Sequence, residues 1–156
     1  MSKVSCIVLA AGAGRRMGHD ENKIFIKLGQ KSIIQWTLSH INQVKAVSEV
    51  ILVVADGEAS YMEQHIASLG LSKLIKIVTG GKERQDSVYA GLQAVGDDID
   101  IVLVHDGARP LAKPELFERV IEGAETHGAV TIGVPSIDTI KRVDIDGQVL
   151  ETLNRN

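Results

Sequence analysis

Short apolar runs alternate with segments of helical periodicity along most of this 156-residue chain. Continuous apolar runs of this length are typical of parallel strands that are covered on both faces. The predicted strands are Val4–Leu9, Glu49–Val54, Leu74–Val78, Ile101–Val104 and Ala129–Val134. The alternation predicts a Rossmann-like α/β fold, in which a mostly parallel sheet carries helices on both faces.

Helical spacing of apolar residues predicts the connections between these strands. In the third helix, we expect Val88, Leu92 and Val95 to form the buried stripe. Pro114 lies near the start of the fourth helix, and Gly128 supplies its stop. The predicted helices are Ser32–Val44, Ala59–Leu69, a helix opened by Gly80 and running to Leu92, and Pro114–His127.

The last part of the chain has a different pattern, with two short alternating segments, 138–143 and 148–153, on either side of Asp146 and Gly147. An Asp-Gly pair between two such segments predicts a β-hairpin. An isolated hairpin is marginally stable in water, so we expect this one to lie against another surface, with a second subunit as a good candidate. We divide the chain into an α/β domain, 1–135, and a hairpin arm, 136–156.

Composition and charge restrict the classes of partner. With a formal charge of −3 and 3% aromatic residues, the chain lacks the basic face and the stacking residues that nucleic-acid binding needs. Its single cysteine, Cys6, lies within the first strand, which excludes an internal disulfide and indicates an intracellular protein. We find no signal peptide and no membrane span, and therefore expect a soluble, cytoplasmic protein.

The stretch from Leu9 to Lys23, LAAGAGRRMGHDENK, joins the first strand to basic residues through a glycine turn. Small residues let backbone amides approach an anion, and Arg15, Arg16 and Lys23 bring positive charge to the same strand end. Two familiar glycine loops do not fit. A dinucleotide fingerprint needs its third glycine one place before Gly18 and a carboxylate for the ribose, and a P-loop needs Gly-Lys-Ser/Thr. The pattern favours a triphosphate.

Two further stretches follow strands at the same predicted sheet edge. Gly80 and Gly81 open a helix whose N-terminus favours anions, and Ser87 could face a nucleotide there, although an ordinary early-helix role is favoured from the sequence alone. Asp106 follows the fourth strand, where it could hold a divalent metal or cap a turn. Arg109 could bind a phosphate through two hydrogen bonds. We expect His105 to be packed or hydrogen-bonded rather than a metal ligand.

These stretches, GGKERQDSV, VHDGARP and DTIKR among them, closely resemble the 2-C-methyl-D-erythritol 4-phosphate cytidylyltransferase family from Val4 to Arg155. The resemblance implies transfer of CMP from CTP to a sugar-alcohol phosphate, with Mg²⁺ as cofactor, in the non-mevalonate isoprenoid pathway. It also implies a homodimer in which the arm embraces the partner. Leu9 stands where proline is common in the family, and Ile24-Phe25 where glutamine and an aromatic residue are common.

The resemblance also implies residue roles. Arg16, Lys23 and Arg155 match catalytic positions, and Asp106 matches the metal-binding aspartate. Nucleotide-binding positions are matched by Ala10, Ala11, Gly12, Gly80, Gly81 and Ser87. Substrate-binding positions are matched by Asp106, Arg109, Thr139 and Arg155.

Other activities stay open at this point. A related cytidylyltransferase acting on ribitol 5-phosphate shares the fold and the glycine loop, and a nucleotide-binding module without turnover is a rival from another class. Chains of the resembled family continue past the arm, through a segment that returns to the main domain and carries another substrate-binding lysine. The resemblance therefore predicts that the 156 residues are part of a longer protein.

Overall fold

A computed structural model of the chain describes residues 2–12 and 22–154. The strands are β1 (Val4–Leu9), β2 (Lys27–Leu28), β3 (Lys31–Ser32), β4 (Val47–Val54), β5 (Leu74–Thr79), β6 (Ile101–Asp106), β7 (Lys141–Val143) and β8 (Val149–Thr152). The α-helices are α1 (Ile33–Gln43), α2 (Ala59–Ile66), α3 (Arg84–Gln93) and α4 (Pro114–His127). Two 3₁₀ turns cover Lys23–Phe25 and Ala67–Leu69.

The four long strands form one parallel sheet in the order β5-β4-β1-β6. From β1 the chain moves outward to β4 and β5, and then crosses back to place β6 on the other side of β1. The order of strands therefore reverses between β1 and β6. Open α/β sheets bind their ligands at the carboxyl ends of the strands beside such a switch point. The predicted fold class is confirmed.

Alternation along the strands divides the core between the two faces of the sheet. Val4, Cys6 and Val8 of β1 pack with buried residues of α1, α2 and α4, among them Ile34, Leu38, Met62, Phe117 and Ile121. Ile7 points to the opposite face, where it packs with Ile51 and Val53 under α3. Helices thus cover both faces, as the sequence predicted.

Cys6 is a core residue, as expected. It is fully buried in β1 as a free thiol, and burial raises the pKa of this thiol to about 12. It therefore packs as a small apolar side chain.

Two helices have the ends that the sequence predicted. Ser32 is the N-cap of α1, where its hydroxyl accepts from the Gln35 amide at 3.3 Å, and the Gln35 side chain accepts from the Ser32 amide at 2.9 Å. Helix α4 spans the predicted residues, and Gly128 ends it with a φ of 80°, a conformation that favours glycine.

The buried stripe predicted for α3 is wrong at Leu92. By contrast, Val88 is half-buried, and Val95, beyond the end of the helix, packs against the cluster around Ile7. Ser87 and Gly91 are the buried residues of this helix, whereas Leu92 is 42% exposed. A Cβ atom at Gly91 would lie 2.6 Å from Cγ2 of Ile7, so only glycine allows this approach to β1. The face of the helix that packs on the sheet is therefore centred on the small residues Ser87 and Gly91 and does not include Leu92.

The predicted strand Ala129–Val134 is also wrong, because residues 129–140 form no strand. Apolar composition expresses a preference for burial, but a strand also needs a neighbour for its backbone groups. Here residues 129–132 line an open cleft beside β6 and form no hydrogen-bonded ladder with it.

The predicted hairpin is confirmed with shorter strands, β7 and β8, which pair antiparallel. Gly147 adopts a φ of 81°, and Oδ1 of Asp144 accepts from the amides of Asp146 and Gln148 at 3.0 and 2.8 Å. Within residues 2–12 and 22–154, no helix has the length and apolar character needed to cross a bilayer.

Candidate functional site

An open cleft of about 540 Å³ lies at the carboxyl edge of the sheet, beside the switch point. Four segments that are distant in sequence line it: the end of β1, the 3₁₀ turn at Lys23, the start of α3 and the turn after β6. Leu9 and Asp106, the last residues of β1 and β6, are register partners. The sequence-predicted residues that line the cleft are Ala10, Ala11, Gly12, Lys23, Gly81, Ser87, Asp106 and Arg109.

The predicted glycine pair brings two walls of this cleft together. A Cβ atom at Gly80 would lie 2.7 Å from Oγ of Ser87 and 2.9 Å from Cβ of Ala11. At Gly81 it would lie 2.3 Å from Cβ of Asp86. Real Cβ atoms do not approach so closely. The contact between the β1 loop and the start of α3 therefore depends on glycine at position 80, and the close approach of the preceding turn to Asp86 depends on glycine at position 81.

The first turn of α3 is held by its own side chains. Asp86 accepts from the amide of Glu83 at 2.9 Å, and the buried hydroxyl of Ser87 donates to carbonyl oxygens of Glu83 and Gly81 at 3.3 and 3.5 Å. Both residues therefore have the ordinary early-helix role that the sequence favoured. Ser87 nevertheless lines the cleft as well.

Asp106 lies between two arginines. Its Oδ1 is 3.1 Å from Nη2 of Arg84, and its Oδ2 is 2.8 Å from Nη2 of Arg109. Both guanidinium groups are largely exposed and border the cleft, so the three side chains together carry one net positive charge. An arrangement of this kind suits an anionic ligand.

The sequence pattern did not indicate Arg84 as a site residue. Its position in GGKER, at the start of a helix that follows a glycine pair, was the signal available. Its partner Asp106 is 22 residues away, and the pairing became visible only when α3 and β6 were placed side by side.

The turn after β6 is positioned by buried contacts. The Gly107 amide donates to the Leu9 carbonyl at 2.8 Å, and the Thr37 hydroxyl donates to the Gly107 carbonyl at 2.9 Å. His105 packs edge-on against Phe117, and its Nε2–H donates to the Arg109 carbonyl at 3.2 Å, since a carbonyl oxygen can only accept. Burial lowers the pKa of the imidazole. His105 is packed and hydrogen-bonded, as expected.

Asp106 suits a cation that takes most of its ligands from elsewhere. In the part of the chain that the structure describes, no group of three or more His, Cys, Asp or Glu side chains could hold a metal ion. Mg²⁺ is commonly bound by one or two carboxylates together with phosphate oxygens and water. The predicted metal residue therefore fits Mg²⁺ that arrives with a phosphate ligand. Arg84 or Arg109 would then have to give up its contact with a carboxylate oxygen of Asp106.

Four predicted residues do not line this cleft as described, and one of them, Gly80, supports it only through its close packing against Ser87 and Ala11. Arg16 and Arg155 lie outside the described residues, so their roles stay predictions. Thr139 is exposed in the connection before β7 and does not line the cleft.

The fold and the cleft define an α/β protein with a cleft at the switch point of its sheet that is bordered by Lys23, Arg84 and Arg109. A protein of Alkaliphilus metalliredigens named 2-C-methyl-D-erythritol 4-phosphate cytidylyltransferase is 46% identical over 155 residues, covering 99% of this chain and 64% of the relative. One of the same name from Pelotomaculum thermopropionicum is 44% identical, covering 99% and 66%. The crystal structure of 4-diphosphocytidyl-2C-methyl-D-erythritol synthase from Anaerococcus prevotii is similar, with a TM-score of 0.86, 31% identity and coverage of 99% of this chain and 65% of that chain.

The chain belongs to the 2-C-methyl-D-erythritol 4-phosphate cytidylyltransferase family, which it matches over residues 4–156. It spans 64% and 66% of the length of the two relatives from Alkaliphilus and Pelotomaculum.

Proposed function

We propose that this chain provides the nucleotide cleft of an enzyme that transfers CMP from CTP to 2-C-methyl-D-erythritol 4-phosphate and releases pyrophosphate. One observation carries the proposal. In a chain of this family, a cleft at the switch point gathers Lys23, Asp106 and two arginines within reach of one anionic ligand.

The reaction needs little proton transfer. A phosphate oxygen of the sugar alcohol attacks the α-phosphorus of CTP and forms a new P–O bond, while the bond to the β-phosphate breaks and pyrophosphate leaves with the electron pair. The second pKa of a phosphate monoester is about 6, so the attacking oxygen is largely ionised at neutral pH. The enzyme's contribution is therefore positioning and neutralisation of charge.

The residues of the cleft can supply that contribution. Lys23, Arg84 and Arg109 bring positive charge to the phosphates. Gly81 and Ser87 line the wall where family resemblance puts base and ribose. Asp106 would hold Mg²⁺, which when bound neutralises developing negative charge on phosphate oxygens. Family resemblance adds Arg16 as a further triphosphate contact.

We also propose that the arm packs against a second subunit in a cytoplasmic homodimer and delivers Thr139 and Arg155 to or beside the partner's cleft. This proposal is supported by the apolar side chains of the hairpin, which are exposed because the hairpin is too small to bury them. The most exposed of these side chains on the arm are Ile137, Ile145, Val149 and Leu150.

Lys23→Ala in the protein expressed from its complete gene tests the cleft. We expect turnover to fall by about 10²-fold or more, because one preorganised charge contact is worth roughly 3–4 kcal/mol in a transition state. Turnover is measured as pyrophosphate release from CTP, in separate assays with 2-C-methyl-D-erythritol 4-phosphate and with ribitol 5-phosphate as the acceptor. The matched control is Lys45→Ala, in an exposed turn at the opposite edge of the sheet.

Near-normal turnover in Lys23→Ala would remove this lysine from the reaction. If pyrophosphate release is faster with ribitol 5-phosphate than with 2-C-methyl-D-erythritol 4-phosphate, ribitol 5-phosphate is the substrate. If CTP binds and no pyrophosphate is released, the protein is a nucleotide-binding module without turnover.

Asp106→Asn tests the metal role. A neutral amide is a weaker ligand for a hard cation, so we expect the Mg²⁺ concentration at half-maximal turnover to rise by about tenfold or more. Asp56→Asn, in an exposed turn at the same sheet edge, is the control. An unchanged Mg²⁺ titration would assign Asp106 to the turn and its arginine pairs alone.

A further inference from the structure

We propose that Glu58 and Tyr61 of helix α2 are positioning residues that hold Lys23 in the cleft. The inference rests on the proposed function, because that function gives Lys23 its task. It starts from the short 3₁₀ turn Lys23–Phe25, which begins at Lys23 and follows the buried residue Asn22.

Asn22 connects three parts of the molecule. Its Nδ2 donates to the Ala10 carbonyl at 3.0 Å and to Oε2 of Glu58 at 3.2 Å, while its Oδ1 accepts from the Ile24 amide at 3.4 Å. Ala10 lies directly after β1, and Asn22 directly before Lys23. The Asn22 side chain therefore ties both ends of the glycine stretch to each other and to the start of α2.

The carboxylate of Glu58 is committed to this contact. Glu58 occupies the N-cap position of α2, where a side-chain oxygen commonly accepts from an amide of its own helix. Glu58 makes no such bond, and its side chain accepts from Asn22, 36 residues away. An acceptor that could have satisfied its own helix is used to hold the lysine segment.

A second attachment lies two residues beyond Lys23. The ring of Phe25 packs edge-on against Tyr61 at 4.8 Å and against His65 at 5.0 Å, and both partners belong to α2. Aromatic pairs of this geometry add stability beyond the area that they bury. Lys23 and Ile24 are thus bracketed by two anchors, at Asn22 and Phe25, on the same helix.

Neither α2 residue is needed for the core. The helix is fixed to the sheet by Met62 and Ile66, which are buried, whereas Tyr61 is 54% exposed. Within the described chain, α2 contributes no residue to the cleft lining. Substitution of Glu58 or Tyr61 should therefore leave the fold intact and release the segment that carries the lysine.

The test compares Glu58→Ala, Glu58→Gln and Tyr61→Ala in the protein expressed from its complete gene. Glu63→Ala, an exposed glutamate of the same helix, is the matched control. The measurements are kcat and KM for CTP, the melting temperature, and hydrogen exchange of the amides of residues 24–26.

For Glu58→Ala we expect faster exchange at residues 24–26 and a kcat about tenfold lower, with a smaller change in KM, because misplacement of a charge by about 1 Å can cost up to 10²-fold. Tyr61→Ala should also speed exchange at residues 24–26 and lower kcat, and both effects should be smaller than in Glu58→Ala. Glu58→Gln should resemble the parent, since its amide oxygen still accepts from Asn22. The melting temperature should fall by no more than a few degrees in any variant, with the largest fall in Tyr61→Ala, which loses the aromatic pair with Phe25.

Unchanged exchange and kcat in Glu58→Ala would overturn the proposal, and so would faster exchange without loss of kcat. If Glu58→Gln is impaired as strongly as Glu58→Ala, the hydrogen bond is not the cause. A parent protein that releases no pyrophosphate would refute the proposed function instead. Exchange at residues 24–26 would then still decide whether Glu58 holds the segment.

Discussion

Strand β1 of the parallel sheet and the two strands of the hairpin all carry apolar side chains but differ in how far these are buried. Val4, Cys6, Ile7 and Val8 of β1 have no exposed surface, whereas Val143, Val149 and Leu150 of β7 and β8 are more than half exposed. Strand β1 has a hydrogen-bonded neighbour on each edge and helices over both faces. Within the described chain, each hairpin strand pairs only with the other.

Apolar residues in a sequence therefore indicate a need for burial without identifying what provides it. In the sheet, crossover helices supplied by the same chain meet that need, and the result is a rigid edge on which the cleft is built. The apolar side chains of the arm stay exposed in this chain, and so do most of those in residues 129–140.

The largest difference should appear when one leucine is truncated in each region. We expect Leu52→Ala in β4 to lower the free energy of unfolding by about 2–5 kcal/mol, since a fully buried side chain leaves a cavity. Leu150→Ala in β8 should change it by less than about 0.5 kcal/mol in dilute solution. Urea unfolding of the 156-residue chain measures both. Equal losses would show that the arm is buried by this chain itself.

A smaller contrast is expected for glycine to alanine changes in two helices. Gly91→Ala should destabilise by about 1–2 kcal/mol, because its new methyl would press on Ile7 and outweigh the gain in helix propensity. Gly123→Ala in α4 would place a methyl 3.2 Å from Cγ1 of Val130, in the irregular segment. That segment can shift, so we expect up to about 1 kcal/mol of stabilisation. Destabilisation in both helices would indicate that residue 130 is as firmly packed as the sheet.

The smallest contrast concerns two ion pairs and pH. Burial alone would raise the pKa of Glu49 in β4, but hydrogen bonds from the Gly96 amide and Lys76 outweigh it and lower the pKa overall. The stabilisation from Glu49 is therefore present above its unfolded pKa of about 4.3 and is lost as pH falls through the folded value.

Glu49→Gln should thus lose part of the pH dependence of stability between pH 7 and pH 3, by less than about 1 kcal/mol. Glu151→Gln, which removes the exposed pair with Arg142 in the hairpin, should leave the dependence unchanged. Urea midpoints at several pH values measure the effect. A larger change from Glu151→Gln would reverse the expected ranking.

Local patterns in the sequence predicted most elements of the fold. Period and capping residues set the ends of α1 and α4, and the Asp-Gly turn set the hairpin. The two errors arose where a partner decides the outcome. Leu92 is not buried, because Gly91 is the residue that brings α3 close to Ile7. The apolar run that begins at Ala129 is not a strand, because it forms no hydrogen-bonded ladder with another strand.

The candidate site was predicted to a similar extent. Gly81, Lys23 and Asp106 were placed by the sequence at strand ends, where α/β sheets bind ligands, and all three line the cleft. Arg84, Asn22 and Glu58 were not found, since their contacts join residues 12 to 36 positions apart and leave no local pattern.

The thiol buried in β1 provides a reporter for the difference between the two regions. Cys6 is the chain's single cysteine and is shielded from solvent, so a thiol reagent can modify it only in molecules whose central strand has left the sheet. The rate of labelling then counts such openings directly. A cysteine introduced by Leu150→Cys would react as a surface thiol in the same molecule. The ratio of the labelling rate of Cys6 to that of the introduced cysteine would give the fraction of time for which the central strand is open.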